Sequence, residues 1–288
     1  MPRRAPLQAI VLTAVAMLCF AANSILCRLA LGPRLIDGAT FTTVRVASAA
    51  AMLGLVIRLQ RRQLPRPTQV GLLSALALFA YLAFFSFAYL RLDAGSGALI
   101  LIGAVQFTMF SVAFYEGERF TGAQWAGLGL ALFGFVYLVL PGVTAPDLFG
   151  AALMTMSGMG WGCFSLLARG AYDPVAANAG NFLWCLLPAL IVNLLNVHDF
   201  AVVPAGLLLA GLSGAIATGF GYVVWYLALR DLPATQAATV QLSMPALVAL
   251  GGTLLLSEPL TARLVTASAA MLGGIALVLG QRAERSAA

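Results

Sequence analysis

Lysine is absent from this chain, histidine occurs once, at His198, and only 9% of the 288 residues are charged. A soluble domain carries about a quarter of its residues as charges, so a water-exposed surface over most of the chain is excluded. The four cysteines, Cys19, Cys27, Cys163 and Cys185, lie inside apolar stretches without C-x-x-C spacing. That leaves neither a disulfide framework nor a thiolate metal site, and they read as small packing residues. All ten acids (Asp37, Asp93, Glu116, Glu118, Asp147, Asp173, Asp199, Asp231, Glu258 and Glu284) fall in or beside short polar breaks. A nucleophile with its base, paired acids and metal ligands are therefore all missing from the apolar stretches, and no enzyme, no metal and no cofactor is expected.

What is abundant is apolar residue, 61% of the chain. The N-terminus imitates a signal peptide, with Arg3 and Arg4 before the stretch Ala9 to Ala22. The stretch runs on through Leu31, however, a length that suits a membrane span of about twenty residues better than a cleaved leader. Apolar runs of that size place helices at roughly 8 to 31, 38 to 57, 68 to 90, 94 to 115, 122 to 140, 148 to 168, 176 to 196, 203 to 229, 234 to 256 and 261 to 280. The breaks carry turn chemistry: Gly32-Pro33, Pro65-Arg66-Pro67, Glu116-Gly117-Glu118, Pro141-Gly142, Asp173-Pro174, Asp231-Leu232-Pro233 and Glu258-Pro259. The expected fold class is an all-α integral membrane protein of ten transmembrane helices.

The net charge of +6 is all arginine, scattered between apolar runs instead of gathered on one soluble face, so no nucleic acid is expected as partner. The arginines report topology. With both termini cytoplasmic, eleven (Arg3, Arg4, Arg58, Arg61, Arg62, Arg66, Arg119, Arg169, Arg230, Arg282, Arg285) face inward and five (Arg28, Arg34, Arg45, Arg91, Arg263) outward. The positive-inside rule favours that orientation in a bacterial inner membrane.

The chain repeats itself. Gly-Glu-Arg-Phe-Thr at 117 to 121 aligns with Ser-Glu-Pro-Leu-Thr at 257 to 261 at a shift of 140, which also carries Ala88 onto Ala228, Ala94 onto Ala234, Leu132 onto Leu272 and Gly134 onto Gly274. The halves are expected at 1–143 and 144–288. Five helices per half is odd, so the second copy enters the membrane from the opposite face, an inverted repeat of the kind that alternating-access transporters use. Small residues recur every fourth position at Gly211, Ala215, Gly219; at Ala123, Gly127, Ala131; and at Thr266, Ala270, Gly274, stripes that let helices pack closely.

The segment Trp225 to Ala238, with Leu132 to Gly134 after Gly117-Glu118-Arg119, Ser257-Glu258-Pro259-Leu260-Thr261 and Met271 to Ile275, resembles the EamA-type members of the drug/metabolite transporter superfamily. Within it the similarity is greatest to aromatic amino acid exporters. The resemblance implies ten helices around a central cavity that opens alternately to each side. The chain departs from the family pattern at Val105, opposite Pro245, and at Phe20, where tryptophan is usual and which Trp161 retains in the second half. An asymmetric cavity lining is therefore expected.

Candidate substrate contacts follow from polar and aromatic groups inside apolar helices. Ser157, Trp161 and Ser165 share one helix face, as do Tyr81, Phe85 and Tyr89; Asn23 and Ser24, Gln106, and Gln241 and Ser243 add uncharged donors and acceptors. Pro188 and Pro245 each free a carbonyl within a helix and are the candidate conformational residues. Trp125, Tyr137, Trp225 and Tyr226 are expected in interfacial belts; Arg45, about seven residues into helix two, is expected to snorkel or make a structural contact, the alternative being that it faces the cavity and attracts a carboxylate. No carboxylate or histidine stands ready to trade a proton within the membrane, so facilitative movement or exchange is expected. The partners are a small-molecule substrate (amino acids, aromatic and other neutral, and related amphipathic metabolites) and the lipid bilayer, with a monomer sufficing. The same fold exporting drugs or other metabolites, and a passive channel, are the alternatives.

Overall fold

A computed structural model describes residues 6–60, 71–168, 171–230, 232 and 234–287. Arg3, Arg4, Arg61, Arg62, Pro65, Arg66, Pro67, Arg169, Asp231 and Pro233, used above for topology and turns, lie outside the described residues, as do the side chains of Arg282, Glu284 and Arg285.

Ten helical spans follow one another: α1 (Pro6–Leu31), α2 (Gly38–Leu59), α3 (Leu72–Tyr89), α4 (Ala94–Tyr115), α5 (Gly122–Val139), α6 (Leu148–Leu167), α7 (Pro174–Leu195), α8 (Pro204–Leu229), α9 (Ala234–Gln241 and Met244–Leu256) and α10 (Ala262–Ala287). Among the described residues nine are long and apolar enough to cross a membrane; α6, diluted by Ser157, Gly158, Gly160 and Gly162, falls short on hydropathy alone. Among the described residues there is no strand, only an isolated bridge between Ile36 and Val202. The acids of the breaks prove to be helix starts. Asp37 accepts from the Thr40 amide at 2.8 Å, Asp147 from Gly150 at 2.7 Å and Asp173 from Ala176 at 3.2 Å, and Thr121 with Gln124 closes a capping box on α5. A capping side chain satisfies amides that have no helical partner and that lipid would leave bare.

Burial is inverted relative to a soluble helix. On α7 the outward stripe Leu183, Leu187, Ile191 and Leu194 is exposed, whereas Asn178, Asn181, Cys185 and Ala189 face the other helices and are buried. An apolar surface of this extent is stable only against hydrocarbon.

The two halves pack by exchange. α1 lies against α8 and α9 as α6 lies against α3 and α4, while α2 pairs with α7 and α5 with α10 across the halves. In the α5–α10 seam Gly127 meets Gly274 and Gly134 meets Ala267 and Ala270, an antiparallel register. The repeat shift turns Gly127 into Ala267 and Gly134 into Gly274, so one contact is the image of the other about an axis in the membrane plane. That is the geometry of an inverted repeat. In the α2–α7 seam the Thr43 hydroxyl donates to the Ala189 carbonyl at 3.2 Å and Asn193 donates to Thr40 at 3.0 Å, again antiparallel. Of the small-residue stripes, those on α5 and α10 form this seam. On α8 the close approaches belong instead to Gly214 against Arg45 and Ser48 and to Gly219 against Met52, while Gly211 meets open space.

A Cβ on Gly274 would run into the Gly127 carbonyl and the Ala131 amide, whereas one on Gly273 meets nothing within 4 Å. Gly274→Val should therefore cost about 1–3 kcal/mol of stability through overpacking, and Gly273→Val should cost little. Thermal unfolding of the two purified variants, followed by size-exclusion fluorescence, checks the difference.

Candidate functional site

Helical regularity fails in two places, and both face the same interior. In α8 the stretch Ser213–Phe220 winds as a π-helix, and in α9 the helix stops at Gln241 and restarts at Met244, with Pro245 in its first turn. π-Helical turns are rare and concentrate at functional sites; proline in that first turn lacks only a donor that would have no helical partner. Pro188, by contrast, sits within an unbroken α7.

Between these irregular stretches and helices α1, α3, α4 and α6 lies an inner cavity of about 40 Å³, lined among others by Phe20, Asn23, Ser24, Tyr81, Phe85, Trp161, Thr218, Tyr222 and Gln241. Its wall is an aromatic cluster. Tyr81 packs on Trp161 at 4.8 Å between ring centroids and on Phe85 at 5.5 Å, and Trp161 stacks on Tyr222 at 5.5 Å with 22° between planes. Phe20 meets Tyr222 edge-on at 5.8 Å. Asn23 of α1 anchors the π-helical stretch, its Oδ1 accepting from Ser213 at 2.8 Å and from Thr218 at 3.4 Å.

Trp161, Tyr222 and Gln241 also border a larger vestibule of about 310 Å³. It runs past Ser165, Asn178, Asn181, Trp225 and Tyr226 to Ala171, Pro174 and Leu229, at the ends of α6 and α8 on the face where α1 begins. The carboxamides of Asn178 and the Oδ1 of Asn181 are buried without a hydrogen-bond partner, which marks them as groups for water or a ligand.

The opposite face is sealed. Arg28, at the end of α1, donates from Nε to Glu258 Oε1 at 2.9 Å, from Nη2 to Asp93 at 3.2 Å and from Nη1 to the Tyr89 carbonyl at 3.2 Å. The second oxygen of Glu258 accepts the Ala94 amide at 2.8 Å, at the start of α4. Burial pushes the Glu258 carboxyl above the ordinary range, against the pull of Arg28 and of that amide. The Glu258 side chain is 12% exposed and that of Asp93 56%, so the Glu258 arm carries most of the closure, because a pair in water contributes at most about 1 kcal/mol. Beside it the α1–α2 and α7–α8 connections are stitched together, Asp37 N to Ala201 O at 2.8 Å and Val203 N to Leu35 O at 2.9 Å.

Arg45 neither snorkels nor finds an acid. It is fully buried in α2; its Nη2 donates to the Tyr81 hydroxyl at 3.2 Å, and its guanidinium lies 4.8 Å from the Phe85 ring centroid and 5.5 Å from that of Tyr81. Its Nε and Nη1 have no partner. Cation–π contacts give about 2 kcal/mol when desolvated, whereas a charge in the bilayer centre costs about 2.5–3.5 kcal/mol or more, so the rings alone do not offset it.

Of the expected contacts, Trp161, Tyr81, Phe85, Asn23 and Gln241 line the inner cavity, and Ser165 lines the vestibule while donating to the Trp161 carbonyl at 2.8 Å. Ser157 is fully buried and ties α6 to the Tyr81 carbonyl at 2.9 Å. Gln106 is buried away from both cavities, and Ser243 is exposed, donating to Val240 at 2.7 Å. Trp225 and Tyr226 are not belt residues: Trp225 is buried and both line the vestibule, whereas Trp125 is half exposed. Tyr222 was legible in the repeat but not singled out. At a shift of 141 it is the counterpart of Tyr81, as Trp161 is of Phe20, so the four central rings form two matched pairs and the aromatic wall is more symmetric than expected.

Residues 7–140 and 147–280 each match the model of the EamA-like transporter family. An uncharacterized protein of Pseudomonas aeruginosa is 50% identical over 96% of each chain. A probable terminal-alkyne amino-acid exporter of Streptantibioticus cattleyicolor is 29% identical over 86% of this chain and 84% of its own. A probable amino-acid metabolite efflux pump of Escherichia coli is 26% identical over 66% of this chain and 68% of its own. A solved crystal structure aligns with a TM-score of 0.62 at 18% identity, over 94% of this chain and 96% of that one, a likeness of fold.

The seal makes a direct prediction. In a chain whose native cysteines are replaced by alanine, a cysteine at Ile102, deep in the inner cavity, should react with an impermeant maleimide poorly from the Arg28 face. Glu258→Gln or Arg28→Ala should raise that labelling several-fold, and labelling that stays unchanged would show that the network does not hold this end shut.

Proposed function

This chain belongs to the EamA-like transporter family, and from that premise we propose that it exports amino acids, aromatic and other neutral, and related small metabolites across a bacterial inner membrane with both termini in the cytoplasm. The observation that carries the reading is the interior itself. An aromatic-walled cavity with amide and hydroxyl groups lies between two inverted halves, sharing Trp161, Tyr222 and Gln241 as walls with a vestibule on one face and closed off by Arg28, Asp93 and Glu258 on the other. In the proposed orientation the vestibule opens to the cytoplasm, where an exporter loads.

Transport then proceeds by alternating access. Cargo enters the vestibule, stacks on Trp161 and Tyr222, and gains from the packing in which these rings enclose it. The halves rock about the α2–α7 and α5–α10 seams, the vestibule narrows, and the Arg28 network opens. The inner cavity is too small for an amino acid while the rings touch one another, so binding and rearrangement of the aromatic wall are coupled. A seal across one end disfavours a passive channel, and a cavity wall without an acid disfavours cationic drugs as cargo. Movement is facilitative or by exchange, since among the described residues no carboxylate or histidine lines either cavity. The relatives named for amino-acid export and amino-acid metabolite efflux support the same cargo class.

Purified protein in liposomes preloaded with unlabelled phenylalanine should show accelerated uptake of labelled phenylalanine, with no substrate-dependent acidification. Uptake indifferent to preloading would point to a channel, and acidification to proton coupling. Trp161→Ala should lower exchange about tenfold through loss of stacking while the protein still inserts and remains monodisperse.

A further inference from the structure

Arg45 is a cation whose burial its own contacts offset only in part. It is entirely shielded from solvent, and among the described residues no carboxylate pairs with it. Two of its three nitrogens are unsatisfied. Its third donates to the hydroxyl of Tyr81, and the two rings it lies over, Tyr81 and Phe85, are walls of the inner cavity. Because the Tyr81 oxygen accepts from Arg45, its own proton remains free to be donated to a further acceptor. The cation is also fixed in place: the π-helical stretch of α8 crosses its backbone at Gly214, where a Cβ could not fit beside Arg45 and Ser48. Shielded in this way it does not meet lipid, and among the described residues no acid neutralises it.

We propose that Arg45 is the anion-recognition residue of the cavity and that the cargo bears a carboxylate on an apolar or aromatic body. The carboxylate supplies the missing counter-charge, taken first by the Tyr81 hydroxyl and then by the free edge of the guanidinium as the ring swings aside, while the body of the cargo occupies the space between Trp161 and Tyr222. Tyr81 is thus both the lid over the cation and the first donor to the ligand. This inference rests on the carrier reading above but narrows it, since the amine of an amino acid is not what Arg45 selects.

The test is equilibrium binding to the detergent-purified full chain, which needs no transport. The probes are L-phenylalanine against L-phenylalaninamide, and 3-phenylpropionate against 3-phenylpropionamide. Wild type should prefer the acid of at least one pair by about tenfold or more, as expected for a charge-assisted pair, and Arg45→Gln should reduce that ratio to near one. Arg45→Met, which removes the buried charge altogether and leaves an apolar stem, provides the same readout should the glutamine variant fold poorly. Preference for 3-phenylpropionate without any binding of phenylalanine would uphold the inference and sink the amino-acid cargo. An acid preference that survives in a monodisperse Arg45 variant, or no acid preference in wild type, overturns it.

Discussion

Hydrocarbon gives a backbone amide nothing to bond to, and this constraint organises the rest of the molecule. It forces ten spans into helices, places capping carboxylates and hydroxyls at their starts, and makes departures from helical geometry costly wherever protein or water does not cover them. The departures that survive are therefore informative. The π-helical stretch of α8 and the break in α9 lie against α1, α3, α4 and α6, around one cavity. The irregular backbone that would be costly against lipid is the backbone that makes room inside.

Much of this was legible in the sequence because lipid simplifies the code. Helix count, approximate bounds and the break residues follow from apolar run length, and the repeat exposes the inversion through parity. The α5–α10 seam is visible as Ala123, Gly127, Ala131 and Thr266, Ala270, Gly274, because small residues at fourfold spacing have one physical use there. Side-chain direction is harder. Ser157 and Ser165 share a helix face with Trp161, yet Ser157 is spent on the Tyr81 carbonyl and only Ser165 reaches open space. A π-helical turn shifts the register of everything after it, so Trp225 and Tyr226 point inward where regular spacing near a helix end suggested an interface. Arg45 left its alternatives open for a related reason: depth along a helix does not reveal whether a long side chain has lipid or protein beside it.

Charge is distributed with economy. At the Arg28 face three charges and two backbone groups meet in one network, half out of the membrane, where opening can return them to water. Arg45 has no such exit. Its neighbours are rings and small residues, and an arginine in that setting raises the energy of the empty carrier. A carrier that stabilises its unloaded state too well traps itself, whereas one with an unmet charge at its centre lowers its energy most when cargo supplies the counter-charge.

These energies must also match in size. A ligand shifts a two-state equilibrium only by its differential affinity, and reversing a hundredfold bias requires about 5.5 kcal/mol. The Arg28–Glu258 pair, partly buried and reinforced by the Ala94 amide, holds one end shut by about 1.5–3 kcal/mol, the range for hydrogen bonds to charged groups. Rings released from mutual stacking add roughly 0.5–1.5 kcal/mol per pair. Cargo that replaces ring contacts with its own and satisfies a buried cation gains on the same scale as the seal it must open. Had the closed face been held by several fully buried ion pairs, no small molecule could reverse it; one partly exposed network lies within the range that the binding energy of a small ligand can offset.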